Sequence, residues 1–270
     1  MSRTHPGDEE RAHAPSDPPP PPAFRPFEVS LGPIRIASGL VLLLVALVLG
    51  LLVTLKPIAE LDQRVLEWFV AHRSPGATAV MEALTGLFAP TTAVIGALVI
   101  GALVGAVSRS ALFGAYIPAS MALTSAFTAV AKDGIERVRP ALPERIVVEL
   151  SHSYPSGHTT AAAALAVSAA ILMISRFAWT RPPVRGESPA GASAGTGGAS
   201  GRGAVREDFV RWSRPVRRAL ILLAALGLVV LIATTRVYLG AHWLSDVVGG
   251  AMVGAGASLV LAGILQPHSS

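Results

Sequence analysis

The chain has 270 residues, of which 51% are hydrophobic and only 14% charged, with a formal net charge of +5 and a positive mean hydropathy. That balance excludes an ordinary soluble domain of this size and points to a membrane protein. With no cysteine, it also excludes disulfides, thiolate metal sites and cysteine nucleophiles.

In chain order, residues 1–33 carry the run SDPPPPPAF and mixed charges without apolar periodicity, which predicts a disordered or polyproline-like tail. A helix needs roughly 20 apolar residues to cross the hydrocarbon core. Six segments meet that length: Ile34 to Leu55, Pro90 to Ser108, Ala111 to Ala131, His158 to Ser175, Val216 to Thr234 and Trp243 to Leu265. The predicted fold class is therefore all-α, a polytopic bundle of six transmembrane helices over 34–265, with a short tail at 266–270. The sequence after the first span, LVTLKPIAEL, lacks small-residue cleavage chemistry, so that span is expected to stay as a permanent anchor.

Between the first two spans, Ile58, Leu61, Val65 and Phe69 fall at helical spacing, with Glu60, Arg64 and Glu67 elsewhere on the wheel. This predicts a helix lying on the outer interface, anchored by its apolar stripe. Residues 177–214 are rich in Gly, Ala, Ser and Pro and predict a flexible cytoplasmic linker. An even number of spans puts both termini and this linker on one side. That side collects fourteen of the 22 Lys and Arg residues, so the positive-inside rule makes it cytoplasmic. The arginines beside the spans are accounted for by orientation in the bilayer, and nucleic acid is not an expected partner.

Three polar clusters then gather at the outer membrane face: KDGIERVRP (Lys132 to Pro140), YPSGHTT (Tyr154 to Thr160) and TRVYLGAHWLSD (Thr235 to Asp246). A charged group at mid-membrane costs roughly 2.5 to 3.5 kcal/mol, so these clusters belong at the boundary or in a wet cavity. Lys132 and Arg139 are seven apart, a spacing that shares one helix face, although Pro140 biases Arg139 out of helical geometry. Ser156 is placed as a helix N-cap. The helix start at Gly157 and His158 would then offer free amides and a positive dipole end to a phosphate, and His158 would sit at the edge of that anion site, placed to donate a proton. His242 and Asp246 are four apart. With the last helix starting near Ala241, the carboxylate would hold the imidazole in one tautomer and leave the other nitrogen free to attack. Arg236 could reach the same anion with its forked guanidinium. The acidic residues are not clustered, so no divalent-metal site is expected. A phosphoryl group is the anion that best fits these cations and histidines.

The pattern Lys132, six residues, Arg139-Pro140, then Pro155-Ser156-Gly157-His158, then Arg236, five residues, His242, three residues, Asp246, resembles the three-part signature of the type 2 phosphatidic acid phosphatase superfamily. The likeness covers about residues 34–265, with one departure: Thr235 stands where the family usually has serine. The resemblance implies a six-helix, metal-independent phosphatase with no cofactor, whose site faces outward from the plasma membrane. It makes His242 the nucleophile, oriented by Asp246. His158 becomes the acid that protonates the leaving oxygen and later activates water. Lys132, Arg139, Ser156, Gly157 and Arg236 hold the phosphoryl oxygens. Its substrate class is a lipid phosphate or pyrophosphate: a polyprenyl pyrophosphate, favoured by analogy with compact members that serve envelope synthesis, phosphatidic acid, or phosphatidylglycerol phosphate. The rival classes are a lipid-phosphate binding or translocating protein without turnover, and a vanadate-dependent haloperoxidase, against which the six spans argue.

Overall fold

The computed structural model describes residues 31–141, 144–179 and 200–265. Among these the chain is all-helical: α1 (Leu31–Leu52), α2 (Lys56–Ala71), α3 (Pro75–Gly86), α4 (Pro90–Ser108), α5 (Ala111–Ile135), α6 (Gly157–Trp179), α7 (Ser200–Tyr238) and α8 (Leu244–Ile264). Six of the helices are long and apolar enough to cross a membrane, and they coincide with the predicted spans to within a few residues. The first ends three residues early because Pro57 enters the next helix, and Leu55 before that helix is extended. Most of the predicted tail and all of 266–270 lie outside the described residues. Helix runs into both ends of the segment expected as a flexible linker, over 177–179 and 200–214. The latter stretch carries four arginines, a residue type of good helix propensity, and no proline. Residues 180–199 of the linker lie outside the described residues.

α8 is the central helix, and small residues put it there. It is the most buried of the spans. A Cβ added at Gly254 would fall 2.3 Å from the Thr160 carbonyl oxygen of α6, and one at Gly256 would fall 2.8 Å from the Gly39 carbonyl oxygen of α1. Backbones thus approach across both faces, which is how helices associate where lipid removes the hydrophobic drive. Gly101 and Gly114 bring α4 and α5 together in the same way. The outward faces of α1, α4 and α7 carry exposed Leu, Val and Ile, such as Leu44, Ile95 and Leu223, a surface suited to acyl chains.

α2 is helical as expected, with Glu60, Arg64 and Glu67 exposed. Its inward face differs from expectation: the buried residues are Asp62 and Leu66, while Leu61 is 46% exposed. The apolar stripe alone did not choose the face, because a buried ion-pair partner awaits Asp62. α3 was not predicted. Ser74 caps it, its hydroxyl accepting from the Ala77 amide at 3.3 Å, and Pro75 sits in its first turn. Arg73, in the α2–α3 joint, donates to the Tyr238 and Glu144 carbonyls at 2.9 and 2.7 Å, tying this corner to the end of α7.

Candidate active site

The end of α5, the start of α6, the end of α7 and the start of α8 meet at one end of the bundle, with loop residues 136–141 and 144–156 between α5 and α6 packed among them. Glu136, in the left-handed conformation (φ 49°), terminates α5. Arg139 therefore stands in the loop rather than one heptad along a helix from Lys132. The two cations still converge: Lys132 Nζ donates to the His152 carbonyl, and Arg139 donates to the same oxygen at 3.2 Å. Arg139 is buried, and its guanidinium reaches the Ala241 carbonyl at 2.6 Å, the Ser151 carbonyl at 2.7 Å and His242 Nε2 at 3.1 Å. Burial pushes its pKa down to about 10, against the pull of Asp246, so it stays a cation at neutral pH.

α8 begins at Leu244, with Trp243 as N-cap, rather than near Ala241. His242 consequently lies in the turn before the helix. The turn needs Gly240, whose φ is +70° and whose absent Cβ would sit 2.0 Å from the Glu144 carbonyl oxygen. The pairing with Asp246 survives because helical side chains lean toward the N-terminus. Asp246 Oδ2 accepts from the Trp243 amide at 2.9 Å and lies 3.3 Å from His242 Nδ1, and Ser153 Oγ donates to the same oxygen. With Nδ1 directed at a carboxylate and Nε2 facing an obligate donor, the consistent tautomer carries its proton on Nδ1 and a lone pair on Nε2. Burial pushes the His242 pKa down to about 3, overriding the hydrogen bond to Asp246 that raises it, so the ring is neutral at physiological pH.

Arg236 is buried at the end of α7. Its guanidinium donates to Thr85 Oγ1 of α3 at 2.9 Å and to Glu149 Oε1. Arg139 donates to the other oxygen, Glu149 Oε2, at 3.0 Å, and His158 Nδ1 lies 4.0 Å from Oε1. Two guanidiniums from different elements thus grip one two-oxygen anion, with His158 near the carboxylate and His242 against Arg139. Ser156 occupies the position before α6, as predicted. Its amide is spent on the Asp246 carbonyl at 3.0 Å and its hydroxyl meets Thr159 Oγ1 at 3.2 Å, so it braces α6 against α8. The first-turn amides from Gly157 onward are the ones an α-helix leaves without internal partners. A Cβ at Gly157 would meet nothing within 4 Å, so that face of the helix start is open. The Thr235 hydroxyl bonds back to the Ile232 carbonyl at 2.7 Å and serves α7 itself.

The predicted residues are thus assembled, and the sequence reading missed several that complete the assembly. Arg137 bonds Asp246 Oδ1 at 2.5 Å and Asp62 Oδ2 at 2.6 Å. Ser245 bonds Asp62 Oδ2 at 2.5 Å and Arg137 at 2.6 Å. Arg137 and Ser245 lay inside the quoted motifs and could have been flagged as a cation and a hydroxyl beside named residues. Asp62, Thr85, Glu149 and Ser153 carried no local signal. Among the described residues no group of three or more His, Cys, Asp and Glu is gathered as metal ligands.

In comparisons with known proteins, none of the curated ones matches the chain significantly. The fold is similar to the crystal structure of a transmembrane PAP2-type phosphatidylglycerolphosphate phosphatase from Bacillus subtilis. The TM-score is 0.65 at 23% sequence identity, covering 84% of this chain and 95% of that one. The model of the PAP2 superfamily matches residues 113–269, a stretch that takes in all three motif clusters, and by that match the chain belongs to the PAP2 superfamily.

Proposed function

We propose that the protein is an integral membrane phosphatase that hydrolyses a lipid phosphate or pyrophosphate at the outer membrane face, through a phosphohistidine on His242 and without a metal. The observation that carries this reading is the shared grip of Arg139 and Arg236 on the Glu149 carboxylate, with His242 against Arg139 and His158 near Glu149. A carboxylate stands in there for two oxygens of a phosphoryl group, and forked guanidiniums suit either anion. In the proposed reaction His242 Nε2 attacks phosphorus, the N–P bond forms as the P–O bond to the lipid breaks, and His158 gives its proton to the departing oxygen. His158 then takes a proton from water, which attacks phosphorus, breaks the N–P bond and frees inorganic phosphate. Lys132, Arg139, Arg236 and the amides at the start of α6 stabilise the charge on the transferring group. Asp246 stabilises the positive charge that His242 acquires.

The test is phosphate release by purified protein in chelator, across polyprenyl pyrophosphate, phosphatidic acid and phosphatidylglycerol phosphate. The last shares its headgroup with the substrate named for the similar Bacillus subtilis protein. Release from at least one member is expected. Binding of these lipids without any release would favour the non-catalytic carrier.

Two further results follow from the same reading. Glu149 must yield its place to the phosphoryl group, so Glu149→Gln, which removes the competing charge, is expected to tighten inhibition by inorganic phosphate about tenfold, the effect of ~1.4 kcal/mol. Unchanged or weaker inhibition would count against displacement. Leu150, fully exposed in the α5–α6 loop, provides the topology test in this cysteine-free chain. Leu150→Cys is expected to react with a membrane-impermeant maleimide in intact cells, and protection until lysis would reverse the orientation.

A further inference from the structure

Asp62 is a buried carboxylate, 2% exposed, on a helix otherwise suited to a membrane surface. Both its oxygens are engaged. Oδ1 accepts from the Ser245 amide at 2.8 Å, and Oδ2 accepts from Ser245 Oγ at 2.5 Å and from Arg137 at 2.6 Å. The other arm of Arg137 bonds Asp246 Oδ1 at 2.5 Å. One guanidinium thus sits between two buried carboxylates, and one of those carboxylates orients His242. The oxygens of Asp246 are divided: Oδ1 faces Arg137, and Oδ2 faces His242, Ser153 and the Trp243 amide. Asp62 also lies outside 113–269, the residues that the family model matches.

A charge buried without a partner is costly. Paired with Asp246 alone, Arg137 would cancel that carboxylate's charge just where an imidazolium must be stabilised. A second carboxylate restores a net negative charge behind the ring. We propose that Asp62 is a positioning residue for phosphoryl transfer: it offsets the charge of Arg137, and so leaves the charge of Asp246 to the His242 imidazole, while fixing the start of α8 through Ser245. This inference rests on the phosphatase reading above. It makes α2 part of the catalytic apparatus rather than a membrane anchor alone.

Asp62→Asn keeps the size and the acceptor for the Ser245 amide but removes the charge. Its kcat is expected to fall about 30-fold, ~2 kcal/mol of barrier. KM should stay within about twofold, because Arg139 and Arg236, which hold the phosphoryl oxygens, are untouched. Because Asp62 acts through Arg137, adding Asp62→Asn to Arg137→Gln should cost no more than about twofold beyond Arg137→Gln alone. A kcat within twofold of wild type, a loss that falls on KM, or losses that multiply in the double variant would each overturn the proposal. Should Asp62→Asn not fold, Ser245→Ala decides: it loosens the same link, and kcat is expected to fall about fivefold, ~1 kcal/mol, at constant KM. An unchanged kcat there refutes the role. A wild-type protein that releases no phosphate would sink the phosphatase reading itself and this inference with it, whereas an active wild type with an indifferent Asp62→Asn sinks the inference alone.

Discussion

Phosphate release is expected to fall by at least about 10⁴-fold when His242 is replaced by alanine, the scale of loss when an enzyme is deprived of its nucleophile. Nε2 of His242 lies 3.1 Å from Arg139, the same guanidinium that holds Glu149 in the anion position. Among the described residues of the site, His242 is the one imidazole with a ring nitrogen hydrogen-bonded to a carboxylate. Without the ring, water would have to attack phosphorus directly, and the positive charge that Asp246 is placed to stabilise would never form. His242 is 1% exposed, so alanine also leaves a cavity. His242→Asn provides the control, since it keeps most of the volume and should be equally inactive. Thermal unfolding in detergent separates lost chemistry from lost fold. Turnover within tenfold of wild type in a folded His242 variant would rule out the phosphohistidine route.

The second large effect concerns His158, whose two proposed proton transfers can be told apart by choice of leaving group. With a lipid phosphate, whose alkoxide departs poorly without a proton, His158→Asn is expected to slow turnover by about 10²- to 10⁴-fold, the usual contribution of a general acid–base group. An aryl phosphate such as p-nitrophenyl phosphate needs no proton to lose its phenolate. The first step should then be largely spared while attack by water is not. The expected signature is a burst of nitrophenolate approaching one equivalent per protein, with labelled phosphate retained on His242. Rates that drop equally for both substrates, with no burst and no trapped label, would reduce His158 to a structural role beside Glu149.

Neutrality of His242 has a pH consequence that supports these experiments. Burial holds its pKa at about 3, so the attacking form persists on lowering pH from 8 to 5. A loss of kcat/KM over that window must therefore arise from another group or from the substrate's own ionisation.

The membrane helices were legible because the signal is local. A run of apolar residues long enough to cross the bilayer has no alternative way to satisfy its backbone, so composition alone located the six spans. The motif residues were legible for a related reason: Lys132, Arg139, His158, Arg236, His242 and Asp246 are conspicuous against an apolar background, where each charge demands a function or a partner. Local rules reached less far at the helix ends. The start of α8 moved from Ala241 to Leu244, yet His242 and Asp246 still meet, because the carboxylate leans back over its own N-terminus. Arg139 left the helical register of Lys132 when Glu136 ended α5, and the two reunited on the His152 carbonyl.

Sequence by itself therefore determined what this protein is made of: six lipid-length helices, four of which carry polar signatures at their ends. Tertiary structure alone decided which charges answer one another. Glu149 fills the grip of Arg139 and Arg236, Thr85 steadies Arg236 from α3, and Asp62 reaches Arg137 from a helix that read as a surface anchor. The physical reason is that an apolar run specifies its surroundings wherever it lies, whereas an ion pair is a relation between two places in the chain. Asp62 and Arg137 are separated by 75 positions, and only the packing of the bundle brings them within hydrogen-bonding distance.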